Sequence, residues 1–338
     1  MDYDKRLSNI QSRKFDNELN ESRTSKLFSS NEIPANIKYM FESMKAIEET
    51  YNQKTYLAAT RVQNHLENKF DLHFNRVYRT QGSVKTGTNI KIHSDFDLLT
   101  VIDRYHYREP SLPNNNPYDT TNPNEDIEEL RNQASKILKG VYDDVDTTGS
   151  KSISILNKSL NRKVDIVFCF WYNTQEYETN NNEYYRGVYL YDFPKRNKIL
   201  DYPFAHLKQV NDKGINTYDG SRKAIRLLKN LKADADVKID LSSFHLTTIV
   251  HSIENNLLNY SFGNEIQISS AISQQLGSLI DNSTLRKAVK SPNGIEKPLE
   301  KDETVNEMKK MKTDLDTLIL DSAKELNNST IRTKLISY

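Results

Sequence analysis

Only one cysteine, Cys169, occurs in the 338 residues, so no intramolecular disulfide can form and the chain is not a disulfide scaffold. Glycine and proline are scarce, at 10 and 9 residues, which excludes a collagen-like or linker-dominated chain. An excess of charge of either sign is also missing: 47 Lys and Arg stand against 46 Asp and Glu, a formal +1. A general nucleic-acid binder carries a strong basic surplus, so that class gains no support, while a local basic cleft stays open. No run approaches the roughly 18 apolar residues of a membrane span. Residues 1–30 lack the apolar stretch of a secretory signal. A soluble, cytoplasmic, monomeric protein with no membrane or obligatory nucleic-acid partner is therefore expected. The histidines show no zinc spacing such as His-Glu-x-x-His. What the chain does have is aromatic, with 19 Tyr and 12 Phe, a composition foreign to disorder. Its length suggests about two domains of roughly 150 residues.

Residues 1–32 are polar and read as an arm. Ile37, Met40, Phe41, Met44 and Ile47 then recur at helical spacing, and a further helix is expected over 56–70 with Leu57, Val62 and Leu66 inward. Phe96, Leu98, Leu99, Val101 and Ile102 form a β-rich run. Residues 104–126, rich in Asn and Pro, read as a loop, and 127–142 as a helix. Ser152–Leu156 and Val164–Trp171 flank a polar turn and predict an antiparallel pair, as do Val188–Tyr191 and Ile199–Tyr202. Past about residue 215 only helical patterns remain, over 219–233, 243–259, 265–281 and 303–326. The expected organisation is an arm over 1–32, an α/β lobe over 33–215 and a helical lobe over 216–338.

The chemistry concentrates between Gln81 and Ile102. Gly82-Ser83 is followed, after eleven residues, by Asp95-Phe96-Asp97-Leu98. On a strand residues i and i+2 share a face, so Asp95 and Asp97 present two carboxylates together while Phe96 and Leu98 pack behind. Two such acids repel unless a cation relieves them, and hard oxygen ligands suit Mg²⁺. Asp165, between Val164 and Ile166, is a third acid inside an apolar run, where a charge needs a partner or a metal. Arg162 and Lys163 are alternative partners for it. Three carboxylates on neighbouring strands can hold two divalent ions for in-line displacement at phosphorus, with Mn²⁺ as a possible substitute. Gly82 permits close backbone approach to a phosphate, and Ser83 and the following amides can donate to it, with Lys85 and Thr86 nearby. At about 100° per residue, Arg222, Arg226 and Lys229 fall in a narrow sector opposite Ala224, Leu227, Leu228 and Leu231. Such a row suits a triphosphate or is simply a solvated face. Cys169 reads as a small buried hydrophobe, and His93 as structural.

The order Gly-Ser, Asp-hydrophobic-Asp-hydrophobic, hydrophobic-Asp-hydrophobic resembles the polymerase-β-like nucleotidyltransferase superfamily. Within it, Gly187-Val-Tyr-Leu-Tyr-Asp192, Ile199-Leu-Asp-Tyr-Pro203 and Arg226-Leu-Leu-Lys229 are similar to the middle region of the bacterial cGAS/DncV-like nucleotidyltransferases, the CD-NTases. The resemblance covers about residues 35–260. It implies an α+β fold with a mixed-sheet lobe and a C-terminal helical lobe completing a nucleotide cleft, braced by long N-terminal helices. It further implies catalytic and metal-binding roles for Asp95, Asp97 and Asp165, and nucleotide contacts from Gly82 and Ser83. Lys229 matches the family's lysine on the donor triphosphate. Ser243-Phe244 matches its serine and stacking aromatic, with phenylalanine in place of the commoner tyrosine; an N-cap role for Ser243 and a core role for Phe244 are the plain alternatives. The implied activity is Mg²⁺-dependent joining of NTPs into a cyclic di- or trinucleotide with release of pyrophosphate. In that family such products signal in antiphage defence by activating a separate effector protein, in some cases with accessory regulators. The remaining alternatives are another transferase of the superfamily, acting on RNA, a protein or a small molecule, and a non-catalytic nucleotide-binding module.

Overall fold

The computed structural model describes residues 1–14, 33–92, 96–113, 121–261 and 263–326. The chain divides into two compact units. The helical unit comprises Met1–Ile47, Thr86–Ile92 and Gln209–Tyr338; the sheet unit comprises Glu48–Lys85 and His93–Lys208. This division differs from the linear one expected at residue 215, because the chain leaves the helical unit after Ile47 and returns to it briefly at Thr86–Ile92.

The sheet unit holds helix α3 (Glu49–Glu67), strands β1 (Arg76–Gln81) and β2 (Asp97–Arg108), helix α4 (Pro123–Lys139), and strands β3 (Val145–Asp146), β4 (Ser152–Asn157) and β5 (Arg162–Asn173). Helix α5 (Gln175–Asn180), β6 (Gly187–Asp192) and β7 (Asn197–Asp201) complete it. The strand order is β1-β2-β5-β4-β3, with β6 also on β5 and β7 on β6. Strands β2 and β5 run parallel; the other pairs are antiparallel. At twelve residues, β5 is long enough for one edge to serve two partners: Arg162–Val167 pairs with β4 and Cys169–Tyr172 with β6. Both expected hairpins are present. Strand β1 was not foreseen, because the half-buried Arg-Val-Tyr-Arg-Thr-Gln has no apolar run.

Helix α4 follows from local rules. The Asn122 side chain accepts from the Asn124 amide, Pro123 sits at the first position, Glu125 and Asp126 occupy the first turn, and Lys136 and Lys139 the last. Its Ile127, Leu130, Ala134 and Leu138 join Val62 and Leu66 of α3 over one sheet face, where Leu98, Ile153 and Ile166 lie. Leu57, expected inward on α3, is 45% exposed; Ala58 and Ala59 take the inward positions. The other face carries a smaller cluster with Leu99, Val101, Val167, Cys169 and Trp171.

The helical unit contains α1 (Tyr3–Lys14), α2 (Ala35–Met44), α7 (Gly220–Asp234), α8 (Ser243–His251), α9 (Asn255–Leu258), α10 (Ile266–Asp281), α11 (Ser283–Ala288) and α12 (Glu303–Leu326). Helix α6 (Pro203–Asn216), also unforeseen, carries the chain from one unit into the other. One apolar cluster joins Leu7 and Ile10 of α1, Tyr39 and Met40 of α2, and the inner faces of α7, α8, α10 and α12. The expected polar arm therefore needs correction over residues 3–14. These form a packed helix, because Arg13 makes a bidentate pair with buried Asp234 (2.7 Å to each oxygen), which also accepts from the Tyr39 hydroxyl at 3.0 Å. Residues 15–32, the Asn-rich stretch 114–120 and the tail from Asn327 lie outside the described residues. Among the described residues no helix is long and apolar enough to cross a membrane.

Candidate active site

Register builds a polar row across five strands of the sheet unit. Gln81 pairs with Asp97, Asp97 with Asp165, and Asp165 with Ser154. Their chain neighbours Leu98, Ile153 and Ile166 belong to the core on one face, so the row lies on the face of Leu99 and Val167. Gln81 Nε2 donates to Asp97 Oδ2 at 2.9 Å. The Ser154 hydroxyl donates to Asp165 Oδ1, and Lys163 Nζ lies 3.3 Å from Asp165 Oδ2. Of the two basic partners weighed for Asp165, the structure thus selects Lys163. Arg162 instead turns inward and donates to the carbonyls of Tyr51 and Asn161. The row ends at Asp146, paired with Ser154. There Oδ1 accepts from the Thr148 hydroxyl and amide, which hold that carboxyl below its usual range.

The electrostatic consequence concerns Asp97 and Asp165. Neighbouring strands lie about 4.8 Å apart, and two unit charges about 5 Å apart at an effective dielectric of 20 repel by roughly 3 kcal/mol. A cation between them removes that cost. Both offer hard oxygens and are steadied by neutral donors, a donor set that fits Mg²⁺. Asp95, the expected third ligand, and His93 lie outside the described residues. Among the described residues no group of three or more His, Cys, Asp or Glu side chains forms a metal site.

Where β1 ends, Gly82 adopts φ +110°, a conformation that favours glycine. The Lys85 amide bonds to the Gly82 carbonyl at 3.1 Å, closing a turn that begins with Gly82-Ser83 at the end of the same row. Lys85 is exposed, its ammonium 5.5 Å from the Tyr56 ring centre.

In the helical unit the cations of α7 meet backbone. Arg222 Nε donates to the Thr86 carbonyl at 2.9 Å, Arg226 Nη1 to Gly87 at 2.6 Å, and Lys229 Nζ to Thr88 at 3.0 Å. Three positions on one helix face thus take three consecutive carbonyls. Arg226 also donates to the Met44 carbonyl and the Asp219 carboxylate, each at 2.6 Å. It is 2% exposed and Lys229 8%, so this face is not solvated. Burial lowers the Arg226 pKa from its ordinary value. Gly214 leaves room for Arg222, whose guanidinium carbon lies 2.3 Å from where a β-carbon would stand.

Ser243 is the exposed first residue of α8. The cap is its neighbour Ser242, in a reciprocal capping box with His245. Phe244 is half-buried. Cys169 is completely buried against the Thr100 carbonyl, and desolvation pushes its thiol far up, which fits a packing role. Sequence reasoning assigned no role to Gln81, Ser154, Gly87 or Thr88, and set Thr86 beside the phosphate site, whereas its carbonyl accepts from Arg222. For Ser154 a signal existed, since it is the polar member of the alternation between Ile153 and Ile155, on the strand paired with that of Asp165.

Comparison with known proteins finds no matching family model. The chain is similar to the cyclic dinucleotide synthase CdnE of Yersinia aleksiciae, 32% identical over 296 residues, covering 86% of this chain and 77% of that protein. It is 33% identical over 324 residues to a c-di-GMP synthase of Capnocytophaga granulosa, covering 87% and 90%. The solved structure of the STING-associated CdnE c-di-GMP synthase from Capnocytophaga granulosa superposes with a TM-score of 0.81, covering 95% of this chain and 98% of that one. A Flavobacteriaceae counterpart, 23% identical, shares the fold with a TM-score of 0.82.

Proposed function

The chain belongs to the CD-NTase family, in its CdnE clade, and from that premise we propose that it condenses two GTP molecules into cyclic di-GMP. As a CdnE-type cyclic dinucleotide synthase it is a nucleotidyltransferase of CBASS antiphage signalling, acting on NTPs in a family that uses divalent metals. GTP as the substrate rests on the c-di-GMP synthases among its relatives, those of Capnocytophaga granulosa and of a Lachnospiraceae bacterium included. The product would activate a separate STING-type effector, as the association of the Capnocytophaga granulosa enzyme with STING suggests.

The observation that carries the chemistry is the placement of Asp97 and Asp165 as register partners on one sheet face. We assign Asp95, Asp97 and Asp165 as ligands of two Mg²⁺ ions. When bound, these ions neutralise the triphosphate and lower the pKa of the attacking ribose hydroxyl. The chain's own residues supply position. The turn at Gly82-Ser83 offers amides and a hydroxyl to phosphate oxygens. A hydroxyl of one nucleotide attacks the α-phosphorus of the other, the bond to pyrophosphate breaks, and a second such transfer closes the ring. Lys229, Ser243 and Phe244 are proposed nucleotide contacts on the strength of the family resemblance.

Mass spectrometry of products from Mg²⁺ with GTP alone, and with all four NTPs, tests the reading. Phosphatase-resistant cyclic di-GMP from GTP alone is expected. A mixed-base ring formed only from two different NTPs would overturn the base assignment, and no cyclic product under any combination would overturn the activity.

A further inference from the structure

We propose that Gln81 and Ser154 are positioning residues that fix the orientation of the Asp97 and Asp165 carboxylates, a reading that rests on those two acids being metal ligands. Each donor is the direct cross-strand neighbour of its acid, Gln81 on β1 beside Asp97 and Ser154 on β4 beside Asp165. Cross-strand neighbours are the closest side chains a sheet provides, so backbone pairing delivers both donors to their acceptors. The bonds take one oxygen of each acid, Oδ2 of Asp97 and Oδ1 of Asp165. An aspartate free to turn about its last torsion presents either oxygen. A donor fixed on a neighbouring strand selects one orientation and leaves the other oxygen's direction defined.

Both donors are themselves held. Gln81 ends β1, where Gly82 at φ +110° turns the chain, so one strand end places both the amide that orients Asp97 and the Ser83 turn. Ser154 lies between Ile153 and Ile155, both fully buried in the core of the opposite face. Neither donor carries charge, so neither sets a positive charge against an incoming cation. Lys163 differs. Its Nζ is 3.3 Å from Asp165 Oδ2, its side chain is 45% exposed, and it brings a competing positive charge. Metal ligands are commonly oriented by such outer hydrogen bonds, whose loss costs about 10- to 100-fold in metal affinity or activity.

The test is a Mn²⁺ titration of the full chain without nucleotide, followed by electron paramagnetic resonance of free Mn²⁺, with thermal melting alongside. Gln81→Met keeps length and removes the donor, Ser154→Ala removes the hydroxyl, and Ser154→Thr restores one. About tenfold or greater weakening is expected for Gln81→Met and Ser154→Ala, with Ser154→Thr within about twofold of the parent. Parent-like binding by Gln81→Met and Ser154→Ala, beside lost binding in Asp97→Asn, would refute the positioning role and leave the metal site standing. Parent-like binding by Asp97→Asn would remove the metal site and this role with it. Should Gln81→Met fail to fold, the two Ser154 variants decide.

Discussion

Lys14, at the end of α1, offers a stability test whose size can be worked out in advance. The side chain is buried and its ammonium donates to the Glu42 carbonyl at 2.6 Å, with the Glu42 carboxylate 3.9 Å away and already paired with Lys45 at 2.6 Å. Burial, aided by Arg226, Lys45 and Arg13 and opposed by Glu42, pulls the Lys14 pKa down from 10.5 to about 8. The folded pKa is then below the unfolded one, so between those values the unfolded chain binds more protons and stability rises with pH. The penalty is fully present below pH 8. At 1.36 kcal/mol per pKa unit it is about 3 kcal/mol, of which roughly 2–3 kcal/mol is regained between pH 7 and pH 10. Lys14→Met keeps the aliphatic stem and abolishes the titration. Urea unfolding of both chains at pH 7 and pH 10 is the assay. The lost hydrogen bond costs about 1 kcal/mol at both pH values and cancels in the comparison. The parent should gain roughly 2–3 kcal/mol on the variant between the two conditions. A difference that does not change with pH would refute a buried, charged Lys14 and the packed N-terminal helix with it.

Gly220→Ala would put a β-carbon 1.9 Å from the Leu258 carbonyl oxygen, a backbone atom that cannot swing away. Thermal melting should show a loss of about 1–3 kcal/mol. Gly277→Ala, where the nearest atom is the flexible end of Lys312 at 3.4 Å, should be neutral or stabilising by up to about 1 kcal/mol. Arg226→Met strips the donors from the Met44 and Gly87 carbonyls and should cost about 2–4 kcal/mol, the Asp219 carboxylate being partly exposed. Hydrogen exchange of that variant should accelerate most in Thr86–Ile92, and unchanged protection there would contradict the role assigned to the α7 cations.

How much of this was legible depended on how local the information is. Asp97 and Asp165 stood out because a carboxylate inside an apolar strand violates the surrounding pattern. Their mutual register did not, since it arises from parallel pairing of strands far apart in sequence. Helix α1 read as an arm because Leu7 and Ile10 are its main apolar residues, while Arg6 and Lys14 are buried against partners remote in sequence, Asp314 and Glu42. The cations of α7 illustrate the same limit. Angle arithmetic placed Arg222, Arg226 and Lys229 on one face, but nothing local announced that Thr86, Gly87 and Thr88 would present three carbonyls to it. Gly82-Ser83 was legible from its spacing to the Asp-Phe-Asp run, while the positive φ of Gly82 at the end of β1 was not, since that strand itself was not foreseen.

The most direct test of the account is anomalous diffraction from crystals grown with Mn²⁺ and a non-hydrolysable GTP analogue. A Mn²⁺ peak coordinated by both Asp97 and Asp165, with the analogue's phosphates beside the Gly82-Ser83 turn, is the predicted result. A Mn²⁺–nucleotide complex bound elsewhere, with those two acids uncoordinated, would contradict it.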